Sequence, residues 1–276
     1  LHHTLLKRVD DNEYPDDTLL DCSSAEEQWP PPPTLFEAVA GSSDGDWINL
    51  PEGIAFKLAH GQRWVADVHY VNTSPDRLCV NTAFDLELVA EAEVKSYAAS
   101  FNLDAGNFLL PPDEETVETF RCAFPEQVSV LSMGGHMHGF GAEYDVSMVH
   151  EDGQLESVYQ VPEWQDSFRY EPVVFDFQVG ELVLRAGQEL ETSCTWFNSS
   201  DEPLGFPDEM CTTFGVVAPM ENSFHCDDGT ILASGDGVIE GQISRSVEPG
   251  GDGVGTLHIT IFTGQPGGQG DFHPLS

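Results

Sequence analysis

The chain has 276 residues, 40% of them hydrophobic and 10% aromatic, which is enough for one large or two ordinary domains and is not the composition of a disordered chain. No apolar run approaches the ~18 residues of a membrane span. Its 48 Asp and Glu against 10 Lys and Arg give a net charge of -38, a field that repels nucleic acid and anionic lipid surfaces and fits a salt-adapted source.

From the N-terminus, His2 and His3 precede a short apolar run, Thr4-Leu5-Leu6, that reads as a strand. On its own the histidine pair is as good a tag remnant as a ligand pair. The chain starts at Leu1 without a methionine or secretory signal, as a mature product or an excised fragment would. Asp10 to Gln28 is acidic and irregular, and Pro30 to Pro33 is stiff and extended, so this stretch is expected to be a surface loop. A strand ending in a turn is expected over Trp47-Ile48-Asn49-Leu50-Pro51-Glu52-Gly53. Alternation predicts another over Arg63 to Asn72, with Val65, Asp67 and His69 on one face, and a third runs from Cys79 to Leu88.

Between about Val89 and Asn107 the pattern weakens, and a domain boundary is placed near residue 90. Beyond it, short strands are predicted at Val117–Phe124, Gln127–Ser132, Glu143–His150, Val173–Gln178, Glu181–Leu184, Glu189–Phe197 and Thr212–Val217. After Cys226 the chain becomes rich in Gly and Asp, with strands expected at Val238–Arg245 and Thr256–Thr263, as an appended hairpin or the start of a further module. Helical periodicity of useful length is absent. Many short strands between Gly and Pro turns predict an all-β protein of sandwich or jelly-roll type.

The six cysteines are even in number and form no Cys-x-x-Cys pair. They read as disulfides of an exported protein, secreted or periplasmic, against the alternative of buried thiols in a cytosolic one. A bridge from Cys194 to Cys211 would close a short loop, contribute about 3 kcal/mol on the chain-entropy argument, and fix Met210 beside it.

The stretch that carries chemistry is Gly134-Gly135-His136-Met137-His138-Gly139-Phe140-Gly141. Histidines two apart share a face if the preceding Val128-Ser129-Val130-Leu131 is a strand, and two imidazoles on one face are half of a metal site. They equally suit polar residues hydrogen-bonded near a strand end. The glycines are expected to let the backbone bend and to leave room for an ion or small molecule.

Taken in order, His2-His3, His69 in His-Tyr-Val-Asn, His136-Met137-His138 and Met210 in Asp-Glu-Met-Cys resemble the ascorbate-dependent type II copper monooxygenases. That is the family of peptidylglycine α-hydroxylating monooxygenase and dopamine β-monooxygenase. The resemblance spans residues 1 to 226 or so. It implies two sequential antiparallel β-sandwich domains of jelly-roll type, with one copper on each, facing across a solvent-filled cleft. The domains would be residues 1–90 and 91–227, followed by a short β extension or module start over 228–276. Family members carry strands ahead of the His-His pair, so the resemblance implies that the first strands are missing here.

By the same resemblance His2, His3 and His69 match the copper that stores and delivers an electron. His136, His138 and Met210 match the copper where dioxygen binds and the substrate C–H bond is broken. Imidazole suits copper in both oxidation states and a thioether favours Cu(I). The implied reaction takes two electrons from ascorbate or another one-electron reductant, inserts one oxygen atom of O2 into a small organic substrate and releases the other as water. Adjacent His2 and His3 need a bulge or strand end to aim at one ion. The resemblance also implies Cys194–Cys211 and Cys122–Cys226 disulfides and leaves Cys22 and Cys79 unassigned.

Departures from the family pattern bear on the substrate. The Arg that holds a peptide carboxylate is replaced by Gly134, the Asn and Tyr that follow the Met ligand by Thr212 and Phe214, and the Gln before the third His by Asp67. An apolar or amine-bearing substrate is expected instead. The alternative is a copper-binding or surface β-sandwich protein of the same fold without turnover. His60, His150, His225, His258 and His273 lack metal spacing and are expected to be structural or exposed.

Overall fold

A computed structural model describes residues 3–9, 34–38, 48–58, 63–69, 79–234 and 254–262, with side chains at 48–58 and 86–231. Among the described residues seventeen strands are defined. In the first half they are β1 His3–Val9, β2 Thr34–Ala38, β3 Ile54–Phe56, β4 Arg63–His69 and β5 Cys79–Glu87. Then come β6 Ser96–Asp104, β7 Glu114–Ala123, β8 Val128–His136, β9 Gly141–Val149, β10 Leu155–Val161, β11 Val174–Asp176 and β12 Leu182–Leu184. The series ends with β13 Glu189–Asn198, β14 Thr212–Ala218, β15 Phe224–Asp227, β16 Thr230–Ser234 and β17 Val254–Phe262. Only two short 3-10 turns interrupt the strands among the described residues, so the all-β class expected from the sequence is the one adopted.

The second half is a β-sandwich. One sheet has the order β10-β9-β13-β7; the other runs β11-β8-β14-β6-β15-β16, with β12 also on β8 and β3 also on β6. Pairing is antiparallel except for β3 and β15, each parallel to β6. Along β13 every second residue is buried, the alternation of a strand with one face in a core. In β8 eight of nine residues are buried, because both faces are covered. Trp196, Tyr144, Tyr159, Phe101, Phe124 and Phe224 fill the space between the sheets. On the outer face of the larger sheet Ala98, Leu131, Val216 and Ala218 are capped by Leu50, Ile54 and Phe56.

Two disulfides fasten one sheet to the other. Cys122 on β7 joins Cys226 on β15, and Cys194 on β13 joins Cys211 at the start of β14, each with Cα atoms 6.1 Å apart. Cys79 lies on β5, and Cys22 lies outside the described residues. In the first half β2-β1-β4 form a three-stranded sheet.

Some expectations about the strands need correction. Residues 48–50 are not a strand; the paired segment is β3, after the turn at Gly53, whose φ of 82° needs a residue tolerant of the left-handed region. β6 falls in the stretch that reads as patternless, because its outer face carries Ala98, Ser100, Asn102 and Asp104, too small or polar to register as an apolar repeat. β10, an exposed edge strand, gives no apolar pattern either. The strand expected at Thr256–Thr263 corresponds to β17, whose partner is β5. Val238–Arg245 lies outside the described residues.

Candidate metal centre

His136 is the last residue of β8, and His138 follows just past the strand end. Their rings lie edge to face, centroids 5.2 Å apart at 89°. His136 is buried, and its Nδ1 and the Nε2 of His138 are both shielded from solvent. On β8, Gly135 faces the smaller sheet, since a Cβ there would meet Tyr144 at 2.6 Å. Gly134 and His136 therefore share the outer face of the larger sheet, where their register partners on β14 are Phe214 and Thr212.

The glycines around the histidines correct the sequence reading. A Cβ would meet Phe214 at 2.6 Å from Gly134 and Trp164 at 2.6 Å from Gly141, and would sit 3.0 Å from Asp166 at Gly139. Neither these three nor Gly135 has a positive φ. The room they make is filled by aromatic rings and a carboxylate of the protein.

His138 is held on three sides. Its backbone N–H donates to Glu209 Oε2 at 2.9 Å, its carbonyl accepts from Trp164 Nε1 at 3.0 Å, and its ring Nδ1 lies 2.8 Å from the carbonyl of Asp208. A carbonyl only accepts, so Nδ1 carries a proton, and in the neutral tautomer this fixes, the acceptor nitrogen is Nε2. This is the arrangement of a metal-ligating histidine oriented by its second nitrogen. Asp208 and Glu209 immediately precede Met210, so these bonds bring the half-buried Met210 segment against His138. Cys211, on the other side of Met210, is locked to Cys194.

Glu209 is the residue at the candidate centre that sequence reading missed. It is fully buried, and its carboxylate accepts from the Phe140 amide at 2.8 Å and from Trp196 Nε1 at 3.1 Å as well as from His138. Burial pushes its carboxyl above the ordinary value, opposed by the amides of Phe140 and His138. Tyr159 supports the strand side: its hydroxyl accepts from the Gly135 amide at 3.1 Å and donates to the Val173 carbonyl at 2.7 Å. Burial pushes its pKa up to about 12.

For the other predicted site, His3 and His69 are direct register partners across β1 and β4. His2 lies outside the described residues, as do the side chains of His3 and His69. Two further histidines pair with carboxylates: His225 with Asp104 at 2.7 Å and His150 with Glu156 at 2.9 Å. His258 lies on β17, and His60 and His273 fall outside the described residues.

Among the described residues no three His, Cys, Asp or Glu side chains cluster as a metal site would require. The candidate centre supplies two imidazoles, and the third donor that the resemblance names is the Met210 thioether. Two imidazoles and a thioether suit Cu(I) and are a poor set for zinc or magnesium. The residues present fit a copper ion.

No protein-family model and no curated protein matches the chain. Solved structures that align with it include infectious bursal disease virus, Gt strain, at 10% identity and a TM-score of 0.24, over 79% of this chain and 50% of that one. The VP2 subviral particle of infectious bursal disease virus aligns at 9% identity and a TM-score of 0.21, over 78% and 52%. The chain spans about half the length of these capsid chains. At such scores nothing about function is taken from them.

Proposed function

We propose that the protein is a copper-dependent monooxygenase that hydroxylates a C–H bond of a small organic substrate with O2 and a reductant such as ascorbate. The observation that supports this most directly is the docking of the Asp208–Met210 segment on His138. It orients the His138 ring through Nδ1 and brings the main chain that leads into Met210 against the His-x-His segment. Copper bound by His136, His138 and Met210 would supply one-electron chemistry and dioxygen activation. A second copper on His2, His3 and His69 would serve as electron store, and the cross-strand register of His3 with His69 supports that assignment.

The chain's own residues have definable tasks. The Asp208 carbonyl fixes the tautomer of His138, and Trp164 holds its backbone. Met210 biases the site toward the reduced ion. Gly134 stands where the resembling family keeps a carboxylate-binding Arg, and the Phe214 ring that lies over it carries no polar group, so a peptide carboxylate has no anchor there. The outer sheet face beside His136 instead offers an aromatic ring, which favours an apolar or amine-bearing molecule.

The test is to load the protein with copper and measure oxygen uptake with ascorbate across amines, peptides and aromatic hydrocarbons. Reductant-dependent uptake matched by a hydroxylated product is the expected result, with N-acylglycines the poorest substrates. Tight copper binding without product across all three classes would identify a non-catalytic copper protein and defeat the proposal.

A further inference from the structure

The proposed ligands do not account for Glu209, a carboxylate with no exposed surface inside an otherwise aromatic core. Burying a charge-bearing group is costly unless every lone pair is engaged. Here one oxygen takes the His138 amide at 2.9 Å and Trp196 Nε1 at 3.1 Å, and the other takes the Phe140 amide at 2.8 Å. The two amides lie past the end of β8, where ladder partners have run out, and a buried unpaired N–H costs about 1–3 kcal/mol. The carboxylate thus replaces a missing strand. Its main chain belongs to the segment that carries Met210, and its own N–H donates to the Gly205 carbonyl at 3.1 Å.

We propose that Glu209 is a positioning residue: a carboxylate buckle that fixes the His138 loop to the Met210 segment, so that imidazole and thioether stand in place before a metal arrives. All its partners are protein N–H groups, so it touches neither substrate nor reacting atoms. Its role at a metal rests on the copper reading above, whereas the buckle itself is a property of the metal-free chain. Carboxylate chemistry is required, because a carboxamide of the same length has one acceptor oxygen and would turn an NH2 group toward an N–H donor.

The metal-free protein and its Glu209→Gln and Glu209→Asp variants are compared by amide hydrogen exchange, then titrated with Cu(I) in competition with bicinchoninate and examined by X-ray absorption for a sulfur neighbour. In the wild type the His138 and Phe140 amides are expected to exchange as slowly as those of the β6–β14 ladder. In Glu209→Gln both should exchange much faster while the ladder stays protected. Cu(I) affinity should fall about 10–100-fold and sulfur scattering should weaken. Glu209→Asp keeps the charge with a shorter reach and should fall between. Should the Gln variant fail to fold, the wild-type exchange pattern and the Asp variant carry the test.

Unchanged affinity and sulfur scattering in a folded Gln variant would overturn the proposal, as would uniform acceleration of all amides, which marks a purely structural residue. So would fast His138 and Phe140 exchange in the wild type. If the exchange pattern is as expected but the wild type takes up no Cu(I) with a sulfur neighbour, the copper reading fails, and the role of the buckle at a metal centre falls with it.

Discussion

Replacing Gly134 by Ala tests whether the Phe214 ring is what keeps a side chain off position 134. The added Cβ would sit 2.6 Å from Phe214 Cζ and within 3.2 Å of two more ring atoms. Phe214 is half-buried, so its ring can shift, and the overlap should cost about 1–3 kcal/mol as an overpacked contact. Without the ring the sign changes. Gly134 has no positive φ, so Ala restricts the unfolded chain without native strain and should gain about 0.4–1 kcal/mol. Gly134→Ala should therefore destabilise the wild type and be neutral or stabilising in a Phe214→Ala background, with a coupling energy of roughly 1–3 kcal/mol. Urea midpoints of the four proteins at constant m-value measure this. Gly135→Ala is the control: its clash is with Tyr144, fully buried and bonded to Thr213 at 2.8 Å, and removing Phe214 should not relieve it. Additive effects at 134 and 214 would refute the reasoning.

Met210→His should keep copper at the centre but remove sulfur scattering and slow hydroxylation, since imidazole lacks the thioether's preference for Cu(I); turnover at the full rate would count against Met210 as a ligand. Tyr159 gives a pH dependence. Its folded pKa of about 12 lies above the ordinary value of 10.0, so the protein is favoured while both states are protonated and loses stability once the unfolded chain ionises. Urea midpoints should fall between about pH 10 and 12, by up to roughly 2–3 kcal/mol of stability. The fall should be shallower in Tyr159→Phe, and equal slopes would show that burial of this phenol is not the cause.

A strand facing a core on one side was legible in the sequence, because alternation is what such burial demands, and β13 shows it. β6 was hidden for the opposite reason. Its inner residues, Ala99, Phe101 and Leu103, are apolar, but its outer ones are small or polar and still covered, so no period stands out. The histidines and Met210 were visible as residue types, and the closeness of the Met210 segment to His138 was only implied by resemblance. Nothing in the spacing says that the Asp208 carbonyl meets an imidazole seventy positions away. Glu209 was the least legible. Among 48 acidic residues, a carboxylate next to a methionine looks like one more solvated charge, and only its burial separates it from the rest.

The same contrast bears on what the glycine-rich stretch encodes. Gly134, Gly135 and Gly141 each yield their side-chain volume to a ring: Phe214, Tyr144 and Trp164. Two of these rings serve the histidines indirectly. Trp164 caps the His138 carbonyl, and the Tyr144 hydroxyl bonds Thr213, the neighbour of His136's register partner Thr212. The close approach of aromatic rings to this backbone is expected to stiffen the His-x-His segment. A segment built this way resists rearrangement on metal binding, so the apo and copper-loaded proteins should differ little here. Its rigidity comes from packing that any change in these glycines would disturb, whether or not a metal is bound.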